Sequence, residues 1–422
     1  MPAAPLTTPA RQARLARAAV AALFLTNGAV FFNIVPRFPQ IKAELGVSNA
    51  VFGTALAGTP IGALLAGLLA GAAIRRFGSA RVASLGIVVT TVATLFVPFA
   101  PSWVAFGGVL FVVGALDAVV DVAQNAHGLR VQRLYGRSIV NSLHGVWSVG
   151  AVLGGLMGSA AAGLGIPLAV HLSISATLFS VTALVAYRFL LPGPEDAERP
   201  AEAQDAHPAP AQDGHPARPA QAQDGHPARR AGRRSFTGAA VRMLAALGLL
   251  AACGGLVEDA GASWGALYLS GDLRTDAATA GLAVVALQVA MTVGRLTGDR
   301  IVDRFGQRTV VRSGGALAAI GMGAALAMPS VPAALAGFAL AGLGVATLVP
   351  AAMHTADELP GLPAGAGLTI VSWLLRGGFL LSPPLVGFVA DLTSLRVGLL
   401  SVVLAGAVTV VLGRVLVNRT RA

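Results

Sequence analysis

The chain has 422 residues, 55% of them hydrophobic and 12% charged, with a mean hydropathy of +0.73 and a formal charge of +11. A soluble domain carries about a quarter of its residues charged, so most of this surface must face something other than water. The positive charge does not point to nucleic acid, because the basic residues sit in short clusters between long apolar runs, the pattern of membrane loops.

Nearly all the basic residues are arginine, Lys42 being the single lysine, and with so much Ala and Gly this suggests a high-GC bacterial genome. Cys253 is the one cysteine, which excludes an internal disulfide and a thiolate metal cluster and reads as a buried, inert thiol.

Spanning the hydrocarbon takes about 20 apolar residues, and the first half of the chain offers spans at 18–36, 51–74, 80–99, 103–126, 138–163 and 166–190. Arg11, Arg14 and Arg17 precede the first, but that stretch is too long for a signal-peptide core and more spans follow, so it reads as a membrane helix. Asn27 lies at its mid-depth, suited either to a solute or to a helix-to-helix hydrogen bond. Gly58, Gly62 and Gly67 in the second span let helices approach closely in lipid. Asp117, Asp121 and Asn125 in the fourth are each four apart and stack on one helical face. Ionisable groups in a bilayer are costly and mark function by default. Asn141, His144 and Ser148 repeat the helical spacing in the fifth span. Asp121 and His144 each lie about 9 Å from the estimated ends of their helices at 1.5 Å per residue. An acid and an imidazole at equal depth are placed to relay protons; the alternative is that His144 packs with Trp147 and links helices.

Residues 192–236 are different material. AQDAHPA at 203–209 returns as AQDGHPA at 211–217 and 222–228, and proline, polar groups and charge with almost nothing apolar predict a disordered tether. The recurring His207, His215 and His226 belong to this duplicated sequence rather than to a metal site.

The second half offers spans at 241–269, 277–301, 308–328, 331–354, 365–390 and 395–417. Glu258 and Asp259 fall near mid-depth in the seventh, among Gly254, Gly255, Gly261 and Ala262, with Trp264 and Tyr268 further out as expected interfacial-belt residues. Gln288, Thr292, Arg295 and Asp299 form a polar stripe in the eighth: Gln288 is placed to touch solute, and Arg295 to latch the helix ends. In the eleventh, Thr369, Ser372 and Arg376 share a face with Trp373 beside them. An intramembrane arginine needs a counter-charge, so Arg376 is expected to face Glu258 or Asp259, or else to anchor an anionic group on the solute.

Orientation follows from the arginines. Arg75, Arg76 and Arg81, then Arg130, Arg133 and Arg137, then the tether, then Arg300, Arg304, Arg308 and Arg312 occupy one set of connections, whereas the other carries Arg37, Lys42, Arg274 and Arg396. The positive-inside rule places the first set, with both termini, in the cytoplasm.

The halves also echo one another, with Arg76-Phe77-Gly78 after the second span and Arg304-Phe305-Gly306 after the eighth. This arrangement resembles the major facilitator superfamily, whose loop signature is Gly-x-x-x-Asp-Arg-x-Gly-x-Arg/Lys. Asp303-Arg304-Phe305-Gly306-Gln307-Arg308 matches its second part, with the leading glycine displaced to Gly298. The first copy, Gly71-Ala-Ala-Ile-Arg75-Arg76-Phe77-Gly78, has Arg75 where the signature has aspartate, a departure that weakens a latch there. Within the superfamily the chain is most similar to the MosC/YbjJ-like group, through Arg37-Phe38-Pro39-Gln40-Ile41-Lys42, Asp121 to Gly128 running on to Tyr135-Gly136-Arg137, His144-Gly145-Val146-Trp147-Ser148, and Gly378-Phe379-Leu380 with Pro383-Pro384. Gly150-Ala151-Val152-Leu153-Gly154-Gly155 resembles the fifth-helix motif of drug/proton antiporters, with Ala151 in place of its proline.

The resemblance implies an all-α membrane protein of twelve transmembrane helices: a six-helix bundle at 1–191, the cytoplasmic tether at 192–236, and a second bundle at 237–422. It implies a secondary transporter for a small, polar, sugar-like solute, with protons as coupling ion; the alternative is a proton-driven exporter of drugs or amphipathic metabolites. The expected roles are proton coupling at Asp117, Asp121, His144, Glu258 and Asp259, and a substrate cavity of Asn27, Asn125, Asn141, Gln288, Thr292, Ser372, Trp373 and Arg376. A cytoplasmic gate is expected at Arg76, Gly78, Arg295, Asp299, Asp303, Arg304 and Gly306. The expected partners are solute, protons and the lipid bilayer, with no nucleic acid, no cofactor and the chain acting as a monomer. An enzyme is not expected: there is no His-Glu-x-x-His and no P-loop.

Overall fold

The computed structural model describes residues 8–136, 139–193, 195, 238–359 and 366–416. Arg137, the repeats at 203–228 and the three tether histidines lie outside the described residues. The described elements are all helical, and twelve helices are long and apolar enough to cross a bilayer. They are α1 (Arg11–Leu45), α2 (Asn49–Phe77), α3 (Ser79–Phe99), α4 (Trp103–Tyr135), α5 (Ser142–Gly163), α6 (Leu168–Tyr187), α7 (Ala240–Gly271), α8 (Ala277–Phe305), α9 (Gln307–Ala327), α10 (Val331–Asp357), α11 (Ala366–Leu392) and α12 (Leu395–Val415). The tether connects α6 to α7, so the face bearing the ends of those two helices is here termed the linker face, and the other the distal face.

Hydropathy locates the spans but not the helix ends. The fourth span was expected to stop at 126, where polar residues begin, yet α4 continues through His127, Arg130 and Arg133 to Tyr135. It ends at Gly136, whose φ of 68° supplies the left-handed cap that residues with a β-carbon disfavour. A polar helix simply projects beyond the lipid. At the other face, α1 tightens to a 3₁₀ turn at Val35–Arg37 and continues as an amphipathic segment to Leu45.

The repeat seen in the sequence is also a repeat of backbone. Gly78 and Gly306 have φ/ψ of 84°/146° and 80°/145°, and each amide closes the preceding helix onto the residue four back, Ile74 or Val302, at 2.8 Å. In both copies the arginine lies over the following phenylalanine, Arg76 at 5.5 Å and Arg304 at 5.4 Å from the ring centre.

Small residues hold the bundles together, since lipid offers no hydrophobic force between helices. Gly150, Gly154 and Gly158 of α5 lie against the carbonyls of Leu25, Ala29 and Asn33 on α1, so closely that a β-carbon at any of them collides with the oxygen. The run that resembles the antiporter fifth-helix motif is therefore a packing seam. Gly58 and Gly62 likewise seat α2 on α4, whereas Gly67 meets no neighbour. Outward, Leu68, Ile320 and Leu404 are exposed by 74%, 72% and 66%, as lipid-facing side chains must be.

On the distal face the halves are closed on one another. Asp391 at the end of α11 accepts the first amides of α2, Asn49 N at 2.9 Å and Ala50 N at 2.8 Å, which caps that helix. Gly281 of α8 abuts Ser159 of α5, Gly163 abuts Ala278, and Trp264 of α7 meets Phe52 of α2 with ring centres 6.3 Å apart. Trp264 and Tyr268 are thus buried in this closure, at 0% and 1% exposure, rather than forming an interfacial belt. Position near a span end could not reveal this for Trp264, because its partner Phe52 comes from the other half.

Candidate functional site

Towards the linker face α5 and α8 stay in contact, Gly145 against Leu296, yet charged groups deep in the spans are open to solvent. His144, Arg295 and Arg376 are exposed, and Asp117, Asp121, Asn125, Glu258 and Asp259 partly so. Lipid does not tolerate such groups, so they line a polar cleft between the halves that opens on the linker face.

The N-terminal wall is built on α4 and α5. The four-residue spacing puts Asn125 one turn from Asp121, and its amide nitrogen donates to Asp121 Oδ1 at 3.1 Å and to the Asp121 carbonyl at 2.9 Å. Gln124 Nε2 donates to the same Oδ1 at 3.4 Å. Asn125 Oδ1 is then turned to His144 Nε2, 3.1 Å away on α5. The structure therefore unites the expected acid and imidazole but corrects their level: His144 is level with Asn125, and Asp121 lies a turn deeper. Phe24 fixes the imidazole edge-on at 5.3 Å. One turn beyond, Asp117 adjoins Asn27 of α1, which is buried rather than open to the cleft. The side chain of Asn141 lies outside what the structure describes.

The C-terminal wall differs from expectation. Arg295 lies about 15 Å from the linker-face end of α8 and pairs with Glu258 of α7 at 3.2 Å. It is a cleft residue, not a latch at the helix ends. Asp259 accepts from Ser263 Oγ at 3.2 Å and adjoins Ser382 of α11. Arg376 makes an ion pair with neither acid among the described residues. Its electrostatic neighbour is Asp121 across the cleft, just as Arg295 faces His144. Two crossed relationships, α4 with α11 and α5 with α8, thus connect the halves. Ser372 and Trp373 share the Arg376 face, with Trp373 exposed. Gln288 and Thr292 are buried instead of lining the cleft: Thr292 Oγ1 donates to the Gln288 carbonyl at 2.7 Å, and both polar atoms of the Gln288 side chain lack a partner.

At the linker face, Arg76, Asp299, Asp303 and Arg304 are exposed and make no ion pair among the described residues, so the expected gate is unlatched here. A second polar cluster was not foreseen. Glu195 Oε1 accepts from Ser79 N at 2.6 Å, at the start of α3, and pairs with Arg130 of α4 at 3.4 Å. Arg130 Nη2 also donates to the Pro192 carbonyl at 3.1 Å. His127 Nε2 accepts from Leu191 N at 3.1 Å, which places the ring proton on Nδ1, directed to Ser79 Oγ at 2.9 Å. The first bundle therefore extends past the expected boundary at 191 to include Glu195. The signal was in the sequence, an acid close behind the sixth span, but nothing local names its partner.

Gly261-Ala262-Ser263-Trp264-Gly265 has the spacing of a nucleophile elbow. It lies inside α7, without the strand-to-helix turn that makes such a serine reactive, and Ser263 is bonded to Asp259.

Two six-helix halves closed at one face around a charged cleft open at the other define a transporter scaffold. The major facilitator superfamily model matches residues 20–258 and 244–422, and the chain belongs to that family. It is 30% identical to membrane protein MosC of Rhizobium meliloti over 94% of this chain and 88% of that one. It is 29% identical to the uncharacterized transporter y4wD of Sinorhizobium fredii (strain NBRC 101917 / NGR234), over 94% and 97%. Among solved structures, a bacterial homolog of the human lysosomal transporter Spinster, inward-facing and occupied, superposes with a TM-score of 0.72 at 16% identity, covering 97% of this chain and 96% of that one. The D-xylose-proton symporter gives 0.68 at 15% identity, over 96% and 97%. The chain is thus a multi-pass membrane transporter and not an enzyme.

Proposed function

We propose that the chain carries a small polar, sugar-like solute across the bacterial inner membrane by alternating access, as a proton-coupled monomer. The arginine distribution makes the linker face cytoplasmic, so the conformation described is inward-facing. The observation that carries the reading is the bonded trio Asp121–Asn125–His144, set opposite Arg376 and Arg295 of the other half. Asn125 orients an acid and an imidazole without itself carrying a proton; Asp121 and His144 exchange theirs with cleft water. Protonation of Asp121 weakens its attraction to Arg376, and protonation of His144 adds repulsion against Arg295, so either changes the force between the walls, which is what a coupled rocking motion requires. The polar cleft favours hydrophilic cargo over the amphipathic cargo of an exporter, and the D-xylose-proton symporter among the similar folds agrees with that preference.

The test is solute-triggered charge movement in proteoliposomes adsorbed on a solid-supported membrane. Jumps of monosaccharides, polyols and sugar acids are expected to evoke proton-linked currents that a protonophore abolishes. Currents evoked by amphipathic aromatic compounds alone would transfer the assignment to the exporter, and a silent response to every hydrophilic probe would contradict polar transport.

A further inference from the structure

Arg376 is a charged group of the cleft without a contact partner among the described residues. It is exposed there, and among the described residues it makes no hydrogen bond and no ion pair. An arginine at such depth ordinarily pairs with a protein acid. The acids expected to serve do not contact it: Glu258 pairs with Arg295 at 3.2 Å, and Asp259 accepts from Ser263 at 3.2 Å, its second oxygen having no partner among the described residues. Asp117 lies one turn deeper than Asp121 on the same face of α4 and adjoins Asn27. Asp121 remains as a facing charge across the cleft, and its Oδ1 already accepts from Asn125 and Gln124.

We propose that Arg376 anchors the carboxylate of a small hydroxylated monoanion, and that this carboxylate competes with Asp121 for the arginine. The inference rests on the transporter reading above and specifies its cargo. One uncommitted cation offsets one negative charge. A phosphate ester brings close to two, and the second would add to the repulsion from Asp121. Ser372, one turn from Arg376, and the exposed Trp373 ring offer a hydroxyl and an apolar surface to the body of the solute.

Competition also supplies the coupling. Without solute, Asp121 is the counter-charge that Arg376 faces. When a second carboxylate arrives, two anions share one guanidinium, and protonation of Asp121 relieves their repulsion. Solute binding and proton uptake then favour one another, reciprocally. The groups facing Asp121 are Asp117, Gln124 and Asn125 of its own helix, His144 of α5 and Arg376 of α11, and His144 in turn faces Arg295. His144 carries a second exchangeable proton beside the site but does not contend for Arg376.

The experiment is the thermal unfolding midpoint of the purified full chain in nanodiscs, at constant ionic strength and at about pH 6 and pH 8. The probes are D-gluconate and D-glucuronate, against D-glucose, sorbitol and D-glucose 6-phosphate. The carboxylates are expected to stabilise the wild type, more at the lower pH, and the uncharged probes not to. Arg376→Gln should weaken carboxylate binding about tenfold or more, the loss of one charge-assisted contact, and Arg376→Lys should retain part of it. Asp121→Asn should bind with little pH dependence. Because Arg376 has no contact partner among the described residues, Arg376→Gln should unfold near the wild-type temperature without solute, which separates lost binding from misfolding. The proposal is overturned if neither carboxylate stabilises the protein, if the phosphate ester alone does, or if neutral sugars bind equally well to Arg376→Gln. It is also overturned if the solute-free midpoint falls in Arg376→Gln and Asp121→Asn restores it, since that marks a structural pair. Neutral-sugar binding with intact proton-driven transport would sink this inference and spare the transporter reading. Arg376-dependent carboxylate binding without proton-linked transport would do the reverse.

Discussion

His144 Nε2 lies 3.1 Å from Asn125 Oδ1, and because the Asn125 amide nitrogen is already committed to Asp121, the imidazole must present its N–H to that oxygen. His144→Gln supplies the same donor without a titrating ring. It is expected to fold and to exchange solute, but to flatten the pH dependence of transport between about pH 5.5 and 7.5, where histidine ordinarily titrates. Exchange and net uptake measured across that range check this. An unchanged pH profile would remove His144 from the coupling.

The Glu258–Arg295 pair should be structural as well as cleft-lining. The glutamate side chain is 16% exposed and the arginine 36%, so solvent screens the pair and reduces the several kcal/mol of a fully buried one. Arg295→Ala is expected to cost about 1–2 kcal/mol, and the further change Glu258→Gln to recover most of it. A double-mutant cycle on thermal stability reads the coupling; strictly additive effects would mean the two side chains do not act as a pair.

Glu195 divides the tether into an anchored and a dispensable part. Glu195→Ala removes the acceptor for Ser79 N and leaves the buried Arg130 with one contact fewer, at an expected cost of about 1–2 kcal/mol. Deleting residues 203–228, which have almost nothing apolar to bury, should leave expression and transport nearly intact. If the deletion abolishes folding and Glu195→Ala does nothing, the assignment is reversed.

Topology follows from charge alone. Reporter fusions at the N-terminus, within the tether and at the C-terminus should all report the cytoplasm. A periplasmic signal from the tether would overturn both the orientation and the division into two halves.

What the sequence discloses here is what local physics determines. Apolar runs place the spans, and helical spacing puts Asp117, Asp121 and Asn125 on one face. The Arg-Phe-Gly repeat announces two glycine turns of nearly equal geometry. The remainder depends on which helices become neighbours across the cleft. Arg295 and Arg376 were both legible as intramembrane cations, yet their relation to Glu258 and Asp121 is set by the packing of α8 on α7 and of one half against the other. Trp264 and Tyr268 have the spacing of interfacial residues, yet both are buried, Trp264 against Phe52 of α2. Helix ends were missed for a related reason: hydropathy stops at the lipid, whereas α4 continues to its glycine cap.

The central claim is that Asp121 couples solute movement to protons, and Asp121→Asn tests it most directly. The amide keeps the shape and an acceptor for Asn125 but cannot gain or lose the charge that faces Arg376. In proteoliposomes with an imposed pH gradient, the variant is expected to exchange internal for external solute at a measurable rate and to accumulate none against a gradient. Concentrative uptake at the wild-type level by Asp121→Asn would contradict the account.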